Sequence, residues 1–193
     1  MIRGKGKVFN VPYRRKRKGH TTYKKRIKLL MFGKHRFVVR KSLKNLNASI
    51  VEYNSKGYKV LFTVTSKTLV KLGWKGDKGN LPSAYLIGMI AGKKAKEKGI
   101  SEAILDLGLN KSSKGSRIYA ALAGALDSGL KIPANPEILP PKERISGSHI
   151  AKYAMSIKST PKYEAQFSDY LKKGLMPEDF VKHFTEIKGK ING

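Results

Sequence analysis

The 193-residue chain contains no cysteine, which excludes disulfide scaffolds, cysteine-based zinc sites, thiol redox motifs and thiol nucleophiles. A reducing, intracellular setting follows from this absence. No apolar run approaches the roughly 20 residues that a membrane-spanning helix needs, and the basic N-terminus lacks the apolar segment of a signal peptide. We therefore expect a soluble protein that has no membrane partner.

Acidic residues are scarce, and their distribution is uneven. The chain has 13 Asp and Glu against 41 Lys and Arg, a net charge of +28. No acidic residue occurs from Met1 to Val51, whereas this segment carries 17 of the cations. A block of one sign repels itself unless a polyanion neutralises it, and solubility alone calls for mixed charge. The charge pattern therefore predicts a nucleic-acid partner, while the 40% of hydrophobic residues argues against a wholly disordered polycation.

Sequence patterns for catalysis are also missing. None of the four histidines has a second ligand at a metal-binding interval, and no Gly-Lys pair completes a phosphate-binding loop. The remaining catalytic alternative is a metal-dependent nuclease built on Asp106, with Glu102 and Asp127 as the other available carboxylates. Such a site needs converging carboxylates, and one Asp after a strand is more often a turn residue. We expect no enzyme activity, metal, cofactor or small-molecule substrate.

Hydrophobic periodicity predicts a mixed α/β domain. The predicted elements are a basic helix ending at Gly33, strands at 37–41, around 48–50 and at 58–65, a helix from Asn80 to Gly99, a strand at 103–107, and a helix from Ser116 to Gly129. Turn residues at 54–57 join the second and third strands into an antiparallel hairpin. We expect a three-strand antiparallel meander plus a further strand, with helices on the faces of the sheet and Gly88 and Gly92 packed closely against it.

Three segments differ in composition and divide the chain. We expect residues 1–33 to form a basic arm and helix that bind the nucleic acid, and the first twelve of them, which lack periodicity, to become ordered on this partner. Residues 34–131 form the globular α/β domain, in which we expect Trp74 to be a packing residue. Residues 132–193 form a Pro-rich, irregular extension in which we expect only short helices, such as one at 177–184.

RNA is favoured over duplex DNA because no helix-turn-helix, zinc-finger or zipper pattern occurs. Tyr13 and Tyr23 flank the densest basic cluster, with His20 between them, and such rings can stack on exposed bases. The loop that carries Lys111, Lys114 and Arg117 precedes a helix N-terminus, where backbone N–H groups can bind phosphate. A general nucleic-acid condensing protein remains an alternative on charge alone.

Short motifs occur in a distinctive order along residues 10–153. They are VPYRRKR at 11–17, TYKKRIKLL at 22–30, VRKS at 39–42 with Asn45, GW at 73–74, GNLPSAYL at 79–86, LDLGL at 105–109, GSR at 115–117 and GSHIA at 147–151. No single motif is specific, but their joint order resembles the family of archaeal and eukaryotic large-subunit ribosomal proteins that bind 5S rRNA.

The resemblance implies a fold and a role. The fold would be an α/β domain laid out like ribonuclease H without that activity, and the role would be structural, attaching 5S rRNA to the large rRNA in the central protuberance of the cytoplasmic ribosome, beside neighbouring large-subunit proteins. Transferred by position, the main rRNA contacts would be Arg14, Arg15, Arg17, Lys18, Lys24, Arg26, Arg40, Lys41, Ser42 and Asn45. Lys16, His20, Tyr23 and Lys44 within the same basic block, and Lys111, Lys114 and Arg117, complete the predicted RNA site.

Overall fold

The computed structural model describes residues 10–193, so most of the predicted N-terminal arm lies outside the described residues. The strands are β1 (His35–Lys41), β2 (Leu46–Asn54), β3 (Gly57–Thr65) and β4 (Ala103–Asp106). The helices are α1 (Arg14–Arg17), α2 (Tyr23–Met31), α3 (Ser66–Lys71), α4 (Leu81–Glu97), α5 (Arg117–Asp127), α6 (Lys142–Ser146), α7 (Ser148–Ile157), α8 (Lys162–Lys172) and α9 (Phe180–Asn192). None of the helices between residues 10 and 193 has the length and apolar character to cross a bilayer.

The four strands form one mixed sheet in the order β3-β2-β1-β4. Strands β1, β2 and β3 pair antiparallel, and the β2–β3 hairpin closes where Asn54 pairs with Gly57. Strand β4 adds to β1 in parallel, with Phe37 opposite Leu105. The predicted meander with one further strand is confirmed, and this layout is the one that the family resemblance implied.

The core lies on one face of this sheet. Phe37 and Val39 on β1 and Ile50 on β2 are completely buried on that face, beneath α4 and α5. Because successive side chains of a strand point to opposite faces, Arg36, Val38 and Arg40 lie on the other face. Helix α2 lies over this second, outer face and is joined to it by a side-chain hydrogen bond from Arg26.

The start of α4 follows its predicted capping chemistry. The Asn80 side chain accepts a hydrogen bond from the Ser83 N–H at 2.9 Å, and Pro82 occupies the first turn. An N-cap side chain of this kind satisfies a backbone donor that has no partner within the helix. Ser116 likewise precedes α5, although its side chain makes no capping hydrogen bond.

The prediction that Gly88 and Gly92 pack against the sheet is wrong. A Cβ atom at Gly88 would overlap the carbonyl oxygen of Ala121 on α5, and one at Gly124 would overlap the carbonyl oxygen of Tyr85 on α4. These glycines therefore let the backbones of α4 and α5 touch each other. Helix α4 is buried on nearly all sides, so the positions of Gly88 and Gly92 in the sequence do not reveal which neighbour these glycines contact.

The segment after residue 131 is more regular than the sequence predicts, because α7, α8 and α9 have 10, 11 and 13 residues. Four of its six prolines stand at the start of helical turns instead of interrupting them. Pro136 and Pro177 open 3-10 turns, and Pro141 and Pro161 directly precede helices. Proline is tolerated at such positions because it removes an N–H that has no helical partner.

Helix α9 completes the main core. Phe180, Phe184 and Ile187 pack into the same hydrophobic cluster as Trp74 and Tyr85. Trp74 is only 3% exposed and meets the Phe180 ring edge-on at 5.4 Å between centroids. The prediction that Trp74 is a packing residue is confirmed.

His183 on α9 makes the stability of this contact depend on pH. Its ring stacks on Trp74 at 5.2 Å, and its Nε2 accepts a hydrogen bond from the Lys75 N–H at 3.1 Å. Burial lowers the pKa of His183; Lys75 and Lys190 act in the same direction and Glu186 opposes them. As the pH falls through about 6.5, the unfolded chain takes up this proton before the folded chain does, so stability is lost.

We therefore expect the urea midpoint of the wild-type protein to fall between pH 7 and pH 5, and to fall less in His183→Gln. Burial also lowers the pKa of His149, so part of the pH dependence should persist in this variant. His20→Gln serves as the control because His20 is exposed. An identical pH dependence in His183→Gln and wild type would contradict the assignment.

Candidate nucleic-acid interface

Helices α1 and α2 present the densest positive charge of the described chain. All four residues of α1 are cations, and neither helix contributes a buried residue. The two helices are linked by the Tyr13 and Tyr23 rings, which lie 5.4 Å apart at a tilt of 55°, and by a hydrogen bond of 3.1 Å from Arg15 Nε to Thr21 Oγ1. The cations are thus displayed on the surface and supported by a small aromatic contact.

A groove of about 820 Å³ runs between α2 and the outer face of the sheet. Arg26 Nε donates a hydrogen bond of 2.6 Å to the Tyr58 hydroxyl, which fastens α2 to β3. The guanidinium groups of Arg26 and Arg36 each lie 4.3 Å from the centroid of the Tyr58 ring, within cation–π range. Six cations line this groove: Arg15, Lys25, Arg26, Lys28, Arg36 and Arg40.

Among the described residues that line the groove, Asp106 is the one carboxylate. Its oxygens pair with Arg36 Nη1 at 3.1 Å and Arg40 Nη2 at 3.3 Å, and one of them accepts a hydrogen bond of 2.7 Å from the Gly108 N–H. Arg40 Nη1 also donates to the main-chain oxygen of Asp106 at 2.8 Å. Asp106 therefore acts as a turn residue that holds two arginines in place. The Arg40 side chain is nevertheless 45% exposed to solvent.

The turn between β1 and β2 is built by residues predicted to contact RNA. The Ser42 hydroxyl accepts from the Asn45 N–H at 3.0 Å, and the Asn45 side-chain oxygen accepts from the Ser66 hydroxyl at 3.0 Å. Arg117 Nη1 donates to the carbonyl oxygens of Gly79, Ser42 and Leu43 at 2.7, 3.2 and 3.3 Å. These contacts fix the shape of the turn, on which Lys41 and Lys44 are exposed.

The predicted RNA site is only partly gathered into one place. Among the predicted residues, Arg15, His20, Arg26 and Arg40 line the groove. A second set of predicted residues is exposed but does not line the groove. These residues lie on or just after α1, on α2 and in the loop before α5: Arg14, Lys16, Arg17, Lys18, Lys24, Lys111 and Lys114. Tyr23 is half-buried against Tyr13.

Sequence analysis missed several lining residues, namely Lys25, Lys28, Arg36 and Tyr58. The signal for Arg36 was present in the sequence, because the alternation of β1 places it on the same face as Arg40. Tyr58 could not be found in this way, since its contact with Arg26 joins residues 32 positions apart.

The carboxylates considered for a nuclease do not converge. Asp106 pairs with arginines, Glu102 pairs with Lys34 at 2.5 Å, and Asp127 accepts a hydrogen bond of 2.6 Å from the Tyr85 hydroxyl. Burial and this contact with Asp127 raise the pKa of Tyr85 far above its usual value. Among residues 10–193, no three His, Asp or Glu side chains lie close enough together to hold a metal ion.

Comparison with known proteins identifies the family. A family model described as ribosomal large subunit proteins 60S L5 and 50S L18 matches residues 7–100 and 92–135. Together these matches span residues 7–135, about two thirds of the chain, and include α1, α2, the whole sheet, α4 and α5. The GSHIA motif at 147–151 lies beyond the matched range. The chain therefore belongs to the family of large-subunit ribosomal proteins 60S L5 and 50S L18, and it is a structural component of the cytoplasmic ribosome.

Proposed function

We propose that this ribosomal protein binds 5S rRNA and helps attach it to the large rRNA in the central protuberance, beside neighbouring large-subunit proteins and without catalysing a reaction. The observation that carries this proposal is the acid-free segment from Met1 to Val51, whose cations on α1 and α2 are displayed without burying a single residue of either helix. Membership of a ribosomal family supports an rRNA as the polyanion that this charge requires.

The exposed cations act as a clamp on the phosphate backbone. Arginine binds a phosphate through two parallel hydrogen bonds, whereas lysine acts as a mobile point charge, so a mixed cluster can follow an irregular backbone. The proposed phosphate contacts are Arg14, Arg15, Lys16, Arg17, Lys18, Lys24, Lys41, Lys44, Lys111 and Lys114. Arg26 and Arg40 contribute from the groove, whereas Ser42, Asn45 and Arg117 support the turn that presents Lys41 and Lys44.

In the proposed arrangement, each of the three segments of the chain has a different role in RNA binding. Residues 1–33 bind RNA, and residues 34–131 supply the rigid sheet and helices beneath them. Residues 132–193 add helices that pack on this scaffold through α9. Because the sheet and helices beneath these cations are already folded, this part of the chain adds little ordering cost on binding.

A binding titration of the purified protein with 5S rRNA, with tRNA as a competitor of similar length and charge, tests the proposal. We expect a clear preference for 5S rRNA that survives about 200 mM salt, because counterion release weakens non-specific binding steeply between 50 and 200 mM. Equal loss of both RNAs with rising salt would overturn the proposal. It would show instead that charge alone drives binding, as in a nucleic-acid condensing protein.

A further inference from the structure

The groove beneath α2 combines features that exposed phosphate-binding surfaces do not have. Its volume of about 820 Å³ falls in the range of pockets that enclose small organic ligands. It has a floor from the sheet, including Val38 and Val51, and a roof from α2 that includes Leu29. The phosphates of an RNA backbone could be bound by the outer cations of α1 and α2 without any such groove.

The charge of the groove is unbalanced at its buried end. Arg36 is only 9% exposed, yet within residues 10–193 its Nε has no hydrogen-bond partner. Asp106 is the single carboxylate in the lining and is already shared between Arg36 and Arg40, whereas six cations line the groove. Because one carboxylate offsets only part of this positive charge, the groove favours an anion beside Arg36 and the neighbouring cations.

The remaining lining suits a flat apolar group. Val38, Val51, Leu29 and Phe32 supply apolar surface, and the Tyr58 ring lies beside them with two guanidinium planes close to it. Aromatic rings and guanidinium planes are the surfaces on which proteins stack unpaired RNA bases. A nucleotide carries both a flat base and an anionic phosphate.

We propose that this groove holds one unpaired nucleotide of the bound RNA, with its base against the apolar lining and its phosphate toward Arg36. This inference rests on the proposed function, since it places part of the rRNA in the groove. The nucleotide must be unpaired because a base within a duplex is covered by its neighbours and its partner. Arg26 positions the roof through its hydrogen bond to Tyr58.

Filling the groove without changing its charge tests the inference. Leu29→Trp fills it from α2 and Val38→Trp fills it from β1. The control is Val70→Trp on α3, because Val70 is 52% exposed and lies outside the lining. We expect both filling variants to bind 5S rRNA about 10-fold to 100-fold more weakly, the loss of one stacked base, with an unchanged salt dependence because no cation is removed.

Base-specific chemical probing of the 5S rRNA complex provides the second measurement. At least one unpaired base should be protected by the wild-type protein and by Val70→Trp, and should react again in the complex with Leu29→Trp. Wild-type affinity and protection in folded filling variants would overturn the inference. If Val38→Trp does not fold, Leu29→Trp decides, because α2 contributes no buried residue.

The two proposals fail in different ways. If the wild-type protein shows no preference for 5S rRNA over tRNA, the proposed function fails. If the preference holds and the filling variants match wild type, only the nucleotide groove fails.

Discussion

Replacing Arg14, Arg15 and Arg17 together by glutamine should weaken binding to 5S rRNA by about 10²-fold to 10³-fold, since each lost phosphate contact removes a charge-assisted interaction. All three side chains are exposed and lie on a four-residue helix that buries nothing, so the variant loses the surface hydrogen bond from Arg15 to Thr21 while the core of the fold should be unaffected. The dependence of log affinity on log salt should also become shallower, by about one unit per lost contact. A titration at several salt concentrations measures both effects.

The control for the triple arginine variant is a second variant that loses three positive charges outside the proposed RNA site. Lys152, Lys172 and Lys173 are exposed on or next to α7 and α8, far along the chain from the basic segment. Replacing these three by glutamine should lower affinity only slightly, through the reduced net charge. Binding by the arginine variant as tight as that of wild type would contradict the proposed RNA site.

Asp106→Asn should lower the free energy of unfolding by about 3 kcal/mol, because removing one partner of a buried ion pair leaves the other charge uncompensated. The side chains of Asp106 and Arg36 are only 8% and 10% exposed, and their atoms approach to 3.1 Å. Urea unfolding of the variant, followed by circular dichroism, gives the change directly.

An exposed ion pair supplies the contrast for this measurement. Glu102 and Lys34 pair at 2.5 Å, but nearly half of each side chain is open to water. Glu102→Gln should leave the urea midpoint close to that of wild type, because exposed pairs contribute little. Equal effects of Asp106→Asn and Glu102→Gln would show that the Asp106 cluster is not a structural anchor.

The sheet could be predicted because its signals are local. The alternation of apolar and polar residues marks β3, and the turn residues between Asn54 and Gly57 fix its pairing with β2. The partner of α4 could not be predicted, because a helix buried on all sides has no single apolar stripe that points to one neighbour. The regular helices after residue 131 were missed because prolines at helix starts resemble prolines that break helices.

The candidate RNA site, too, could be predicted only as far as local sequence signals reach. A block of cations without acids is visible in the sequence, and it indicates the partner. Which cations are free to bind that partner depends on contacts between distant segments. Arg40 and Arg36 meet Asp106 across 66 and 70 positions, and Arg117 reaches back to Gly79 across 38. Composition and spacing contain no information about such contacts, so sequence analysis could not separate surface cations from anchoring ones.

The position of α9 in the core has a consequence for how the chain folds during its synthesis. Phe180, Phe184 and Ile187 cover Trp74 and Tyr85, which are made about a hundred residues earlier. At translation rates of 5–20 residues per second, roughly 5–20 s separate the synthesis of Trp74 from that of Phe180. Throughout that interval the nascent chain exposes an aromatic surface together with its acid-free basic segment. Aggregation and premature capture of RNA therefore compete with folding until α9 is made.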